Sequence, residues 1–224
     1  MGVDYRWVNP DRKEYLCPQD FDFGGRRHQT IYENNEILCA LRELLSYEWK
    51  GCRVLWLGDE YNAPEGIAED LFGVMLEQSK ELGYSGDLFD TILDSYRNVS
   101  GLFKSTEKYV REEIEGYIKD QKNGGEFTWN EYGIDLSDPY KGLFKKDGKI
   151  FKYTLNHTKK IGYTMEEFML FSDTGLELKH FDPLPVLLGY GRDLEPGLWL
   201  GDDIGVADSL PREYQQMKRL CIKW

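Results

Sequence analysis

Hydrophobic and polar positions change period several times along the chain. Arg6-Trp7-Val8 and Glu14-Tyr15-Leu16 are short, mostly apolar runs flanking the polar turn Asn9-Pro10-Asp11. That arrangement predicts a hairpin. Apolar residues then recur at helical spacing from about Asn35 to Tyr47, and Cys52 to Leu57 reads as a compact strand. Between residues 64 and 121 the period is helical. Ile67, Leu71, Val74 and Met75 form one set, and Leu88, Ile92 and Leu93 a second after Gly86-Asp87, with Asp87 as the expected N-cap. Tyr109, Ile114, Tyr117 and Ile118 share one side of a third helix over Ser105 to Gln121. Gly83, Gly86, Gly101 and Asn123-Gly124-Gly125 punctuate these stretches. Strand character returns at Lys149 to Leu155 and at Lys218 to Trp224, while Ala207 to Glu213, which contains Pro211, reads as a helix start.

Leu-Trp-Leu-Gly-Asp occurs twice, at residues 55–59 and 198–202. Aligning 41–60 with 184–203 gives nine identities in twenty, where average composition gives about one or two. A weaker echo pairs Val8-Asn9-Pro10-Asp11-Arg12-Lys13 with Leu155-Asn156-His157-Thr158-Lys159-Lys160. Together they predict an α+β fold: two related strand-rich halves forming one sheet-containing domain, with a helical insertion. The expected segments are 1–60, 61–125 and 126–224, the middle one acidic and helical, all within one compact domain.

Charge localises the picture. The 224 residues carry 28 Lys and Arg against 40 Asp and Glu, a formal charge of −12. Residues 60–94 hold nine acids and one base, Lys80, so eight of those charges belong to one stretch. Such a balance argues against a nucleic-acid partner, which needs a basic footprint. Six Trp, 15 Tyr and 11 Phe exclude an acidic disordered tail. No apolar run approaches the roughly 18 residues that a membrane span needs.

The four cysteines, Cys17, Cys39, Cys52 and Cys221, are widely spaced, and His28, His157 and His180 lie near none of them. This predicts reduced thiols in a cytoplasmic protein, with no metal and no cofactor. The opening Met-Gly-Val-Asp-Tyr-Arg matches neither a signal peptide nor a myristoylation site. Gly-x-Ser-x-Gly, P-loop and His-Glu-x-x-His patterns are absent. Gly189-Tyr190-Gly191-Arg192 can turn backbone N–H groups and a guanidinium towards an anion, but a plain loop is the simpler reading. Gly24-Gly25-Arg26-Arg27-His28, the one tight basic cluster, also reads as a solvated loop.

Three motifs carry a resemblance. Val8-Asn9-Pro10-Asp11-Arg12-Lys13-Glu14-Tyr15, Pro183 to Arg192, and Trp199-Leu200-Gly201-Asp202-Asp203-Ile204 are similar to a group of uncharacterised microbial proteins. That group has Val-Asn-x-Thr-Lys-Lys-Glu-Tyr, Gly-Asn-Gly-Arg and Trp-Ala-Gly-Asp motifs. Here Tyr190 replaces the Asn, and Asp193-Leu194 replaces further glycines. The resemblance implies a compact unit and no particular activity.

Two functions are expected from these features. The first is an acidic cytoplasmic interaction protein that neutralises a basic partner such as a toxin, in the manner of an immunity protein. Its partner-binding residues would be Glu60, Glu65, Glu69, Asp70, Glu77, Asp87 and Asp90. The alternative is an enzyme or small-ligand binder with a site between the two halves, formed by Asp59, His180, Tyr190, Arg192, Asp202 and Asp203. No catalytic residue is singled out in either case.

Overall fold

The structure is a computed structural model that describes residues 3–59, 66, 68–83, 88–125, 131–146 and 148–223. Its first unit is the expected hairpin, β1 (Tyr5–Asn9) and β2 (Glu14–Leu16), with Trp7 opposite Leu16 and Asn9 opposite Glu14. The Asn9 Oδ1 accepts the Arg12 N–H at 3.0 Å, and Lys13 takes a left-handed φ of 53° to close the turn. An Asn side chain bonded to backbone fixes such a turn locally.

The chain then passes through a short helix, α1 (Arg27–Thr30), into α2 (Glu36–Ser46). Asn35 caps α2, its Oδ1 accepting the Leu38 N–H at 2.8 Å. Ile37, Leu38, Leu41, Leu44 and Leu45 are buried on the apolar stripe of α2. Strand β3 (Leu55–Gly58) pairs antiparallel with β1 and sets Trp56 opposite Trp7. Two helices follow, α3 (Glu69–Glu81) and α4 (Leu88–Ser95), then strand β4 (Arg97–Asn98) and helix α5 (Glu107–Lys122).

A second hairpin, β5 (Tyr153–Asn156) with β6 (Ile161–Tyr163), repeats the turn chemistry of the first. The Asn156 Oδ1 accepts the Lys159 N–H at 2.8 Å, and Lys160 has a φ of 54°. The remaining elements are β7 (Met169–Ser172), α6 (Leu184–Leu188), β8 (Gly189–Tyr190), β9 (Ile204–Ala207), β10 (Gln215–Gln216) and β11 (Arg219–Ile222).

The first sheet has the order β4-β2-β1-β3-β8 and the second β10-β6-β5-β9. In each, the third strand pairs antiparallel with the first strand of the hairpin, and a short fourth strand lies parallel to the second. A third, two-stranded parallel sheet joins β7 to β11. The architecture is α+β, as expected.

In the longer sequence echo Leu41, Leu44 and Leu45 and their counterparts Leu184, Leu187 and Leu188 are helical in both copies, but the Leu-Trp-Leu-Gly-Asp segments do not lie on equivalent backbone. Leu55-Trp56-Leu57-Gly58 is strand β3, whereas Leu198 to Gly201 is a turn ahead of β9. By hairpin register the counterpart of Leu55 is Gly205, because Leu55 faces Val8 and Gly205 faces Leu155. Both tryptophans of the motif are buried, in different settings. Trp56 stacks on Tyr5 at 4.0 Å, and Trp199 sits 5.9 Å from the Tyr163 ring. The helix expected after Ala207 is absent. Ala207 ends β9, and a turn at Pro211, whose carbonyl accepts the Tyr214 N–H, leads into β10. The expected N-cap Asp87 lies outside the described residues.

The five-stranded sheet is buried on both faces. Trp7, Leu16 and Trp56 pack with α2 residues, and this core also takes Tyr163, Leu184, Trp199 and Ile204 from the C-terminal part. Val8, Tyr15, Leu55 and Leu57 on the other face pack against Leu71, Phe72, Met75, Leu88 and Ile92 of α3 and α4. A smaller cluster joins Val110 and Ile114 of α5 to Tyr132. Among the described residues no helix is long and apolar enough to cross a membrane.

Candidate functional site

The residues expected to line a ligand site are dispersed. Asp59 follows β3, and its N–H bonds the Asp4 carbonyl at 2.9 Å. Burial pushes its carboxyl above the usual carboxylate range, and the nearby charge of Arg192 opposes the shift. Tyr190 belongs to β8, beside Leu57, with its ring 5.3 Å from Phe72. Asp59, Tyr190 and Arg192 thus gather at one end of β3.

Asp202 and Asp203 do not join them. The buried Asp202 carboxylate accepts from Asn156 at 2.7 Å and from Lys159, which ties the second hairpin to the turn before β9. Asp203 bridges Arg53, which precedes β3, so it sits at the opposite end of that strand from Asp59. His180 is exposed and bonds Glu33 at 2.8 Å, next to the bridge between Tyr32 and Phe181. The basic cluster is used structurally: Arg27 donates to the Asp193 carbonyl at 2.7 Å, and Tyr5 donates to the Asp193 carboxylate.

Of the expected partner-binding acids, Glu60, Glu65 and Asp87 lie outside the described residues. Glu69, Asp70, Glu77 and Asp90 are exposed on α3 and α4, as are Glu81 and Asp94. The helical period explains the placement. Leu71, Met75 and Ser79 face the sheet, which leaves Asp70, Val74, Glu77 and Glu81 as an outward stripe. Val74 is 38% exposed, and Leu82 beyond the helix end 47%. Among the described residues, Glu69, Asp70, Glu77 and Glu81 enter no ion pair.

The geometry also reveals a buried charged cluster that sequence reasoning missed. Arg42 of α2 and Asp182, just before α6, form an ion pair beneath the second sheet. Asp182 also accepts the Tyr163 hydroxyl at 2.6 Å and the Leu184 N–H at 2.9 Å. The Arg42 Nε donates to the Thr154 Oγ1 at 3.2 Å and its Nη2 to the Tyr163 hydroxyl at 3.4 Å. Burial alone would favour neutral Arg42, and Asp182 outweighs this and holds its pKa above the ordinary value. Burial pushes the Tyr163 phenol well up, reinforced by Asp182.

Above this cluster opens a cavity of about 310 Å³. Arg42, Thr154, Tyr163 and Thr164 form its buried floor, and Ile150, Phe151 and Met165 supply apolar walls. It lies between α2 and the second hairpin, so a space between the N- and C-terminal parts exists, lined by none of the six expected residues. One sequence cue pointed here: Arg42 falls on the apolar stripe of α2 between Leu38 and Leu45. Asp182 and Thr154 carry no such cue. Among the described residues no cluster of His, Cys, Asp and Glu has the geometry to hold a metal ion. No protein-family model, no curated protein and no solved structure matches this chain.

Proposed function

We propose that this protein is an interaction protein that docks a basic protein partner on the outward face of α3 and α4. The observation that carries this reading is the stripe Asp70, Val74, Glu77 and Glu81, exposed and without ion pairs among the described residues. Exposed acids without close ion pairs around partly exposed apolar side chains combine electrostatic steering with area to bury. Neutralisation of a basic toxin by an immunity-like protein is the specific form of this function that the charge favours. The four unpaired thiols are in keeping with a cytoplasmic setting.

Affinity capture from the native lysate, at low and high salt, tests the proposal with the triple variant Asp70→Lys, Glu77→Lys, Glu81→Lys as control. Each reversal adds two charges, so three take the formal charge from −12 to −6. A basic protein retained by the wild type at low salt and lost in the variant is the expected result. A partner that ignores both salt and the variant removes this face from the interaction.

A further inference from the structure

We propose that the cavity over Arg42 binds a small uncharged molecule carrying a hydrogen-bond acceptor on an apolar body. This inference is independent of the acidic face, which lies on α3 and α4.

The donors come from the floor. Arg42 is only 6% exposed, yet it lines the cavity. Its Nε and Nη2 are engaged by Thr154, Tyr163 and Asp182, but the two N–H bonds of Nη1 meet no acceptor among the described residues. The hydroxyl of Thr164, also buried, makes no hydrogen bond among the described residues. A buried guanidinium with spare donors beside an open cavity is the arrangement that an incoming acceptor completes.

Charge balance selects a neutral ligand. Arg42 is compensated by Asp182. At the rim, Lys152 pairs with Glu166 at 3.1 Å, and Asp208 with Lys149 at 3.0 Å. Every formal charge lining the cavity therefore already has its opposite. An anion would lose its water near the Asp182 carboxylate with no free cation to receive it, and a cation would meet Arg42. A carbonyl or amide oxygen takes the Nη1 donors without that cost.

The walls specify the rest. Ile150 is 73% exposed, more than any other large hydrophobic among the described residues, and Phe151 and Met165 lie beside it. Covering them rewards an apolar body. The volume is near the lower end of small-molecule sites, which run from roughly 300 to 1,000 Å³.

The test uses the full-length ¹⁵N-labelled protein, titrated with isobutyramide and cyclopentanone and with the similarly sized ions isobutyrate and isobutylammonium. The neutral probes are expected to give saturable shifts at the Arg42 Nε and at the Thr154 and Thr164 amides. The ions are expected to bind at least tenfold more weakly. Met165→Trp, which fills the cavity, should weaken the neutral probes at least tenfold. Thr164→Val, a near-isosteric change, should weaken them severalfold and serves as the second variant if Met165→Trp does not fold. Neutral probes that do not saturate, ions that bind as well as neutral probes, or binding that survives these variants would each overturn the proposal.

Discussion

Removing the Asp182 carboxylate should be among the most damaging single changes available in this chain. Asp182 is fully buried and serves three donors: the Arg42 guanidinium, the Tyr163 hydroxyl and the Leu184 N–H. Asp182→Ala strands a buried cation and leaves two neutral donors unsatisfied. Breaking a buried pair by deleting one partner costs about 3–5 kcal/mol. In a domain of this size each kcal/mol moves the melting temperature by roughly 2–4 °C, so the loss is about 6–20 °C. The companion variant Arg42→Met removes the other charge while keeping most of the buried volume. In the double variant neither charge is left alone, so the combined loss should be well below the sum of the single losses. Urea unfolding of the four proteins gives the coupling directly. Strict additivity, or a loss below about 1 kcal/mol for Asp182→Ala, would refute the view that this pair holds α2 to the C-terminal part.

Two further outcomes are expected. Burial raises the Asp20 carboxyl above its ordinary value, and its bond to Asn98 at 2.8 Å only partly offsets this. An acid whose folded pKa lies above its unfolded one leaves the folded state holding more protons in between. Stability therefore falls as pH rises through that window. Melting curves from about pH 4 to 7 should show a smaller decline for Asp20→Asn than for the wild type, and an unchanged decline would reject the assignment. Thiol accessibility gives the other outcome: burial pushes the Cys17 thiol well up, whereas Cys221 is exposed. A disulfide reagent should modify Cys221 in the native protein and Cys17 only after denaturation; early labelling of Cys17 would contradict its burial.

The sequence disclosed the elements whose signals are local. The helix at 36–46 was legible because its apolar residues keep one period, and the structure adds Asn35 as its cap. The first hairpin was legible through Asn9, whose side chain closes its own turn, whereas the second was legible only as a strand running into Asn156, because the returning strand Ile161–Tyr163 is too short to carry a period. The stronger echo misled because five shared residues do not choose their own conformation. At 55–58 they are paired with β1 and β8 on either side, whereas at 198–201 they reverse the chain at Gly201, with its φ of 85°. The acidity of α3 followed from charge counting, but the apolar period grouped Val74 with Leu71 and Met75, whereas Val74 faces outward among the acids because the helix buries only Leu71, Phe72, Met75 and Ser79. The Arg42 cluster was hidden because its members come from α2, the second hairpin and the approach to α6. Only Arg42 leaves a trace in the sequence, a charge on an apolar stripe, which the apolar period alone passes over.

The five-stranded sheet also has a history on the ribosome. Its inner strand β3 is made early, but the neighbour on its far side, β8, comes from Gly189–Tyr190. At roughly 5–20 residues per second, the gap between Gly58 and Gly189 takes roughly 7–26 s to synthesise. For that interval the nascent chain carries a hydrophobic strand with one uncovered edge, the template on which unwanted pairing between chains begins. Chains interrupted before Tyr190 would keep that edge permanently, so premature termination in this gene should yield insoluble product rather than a shorter folded protein.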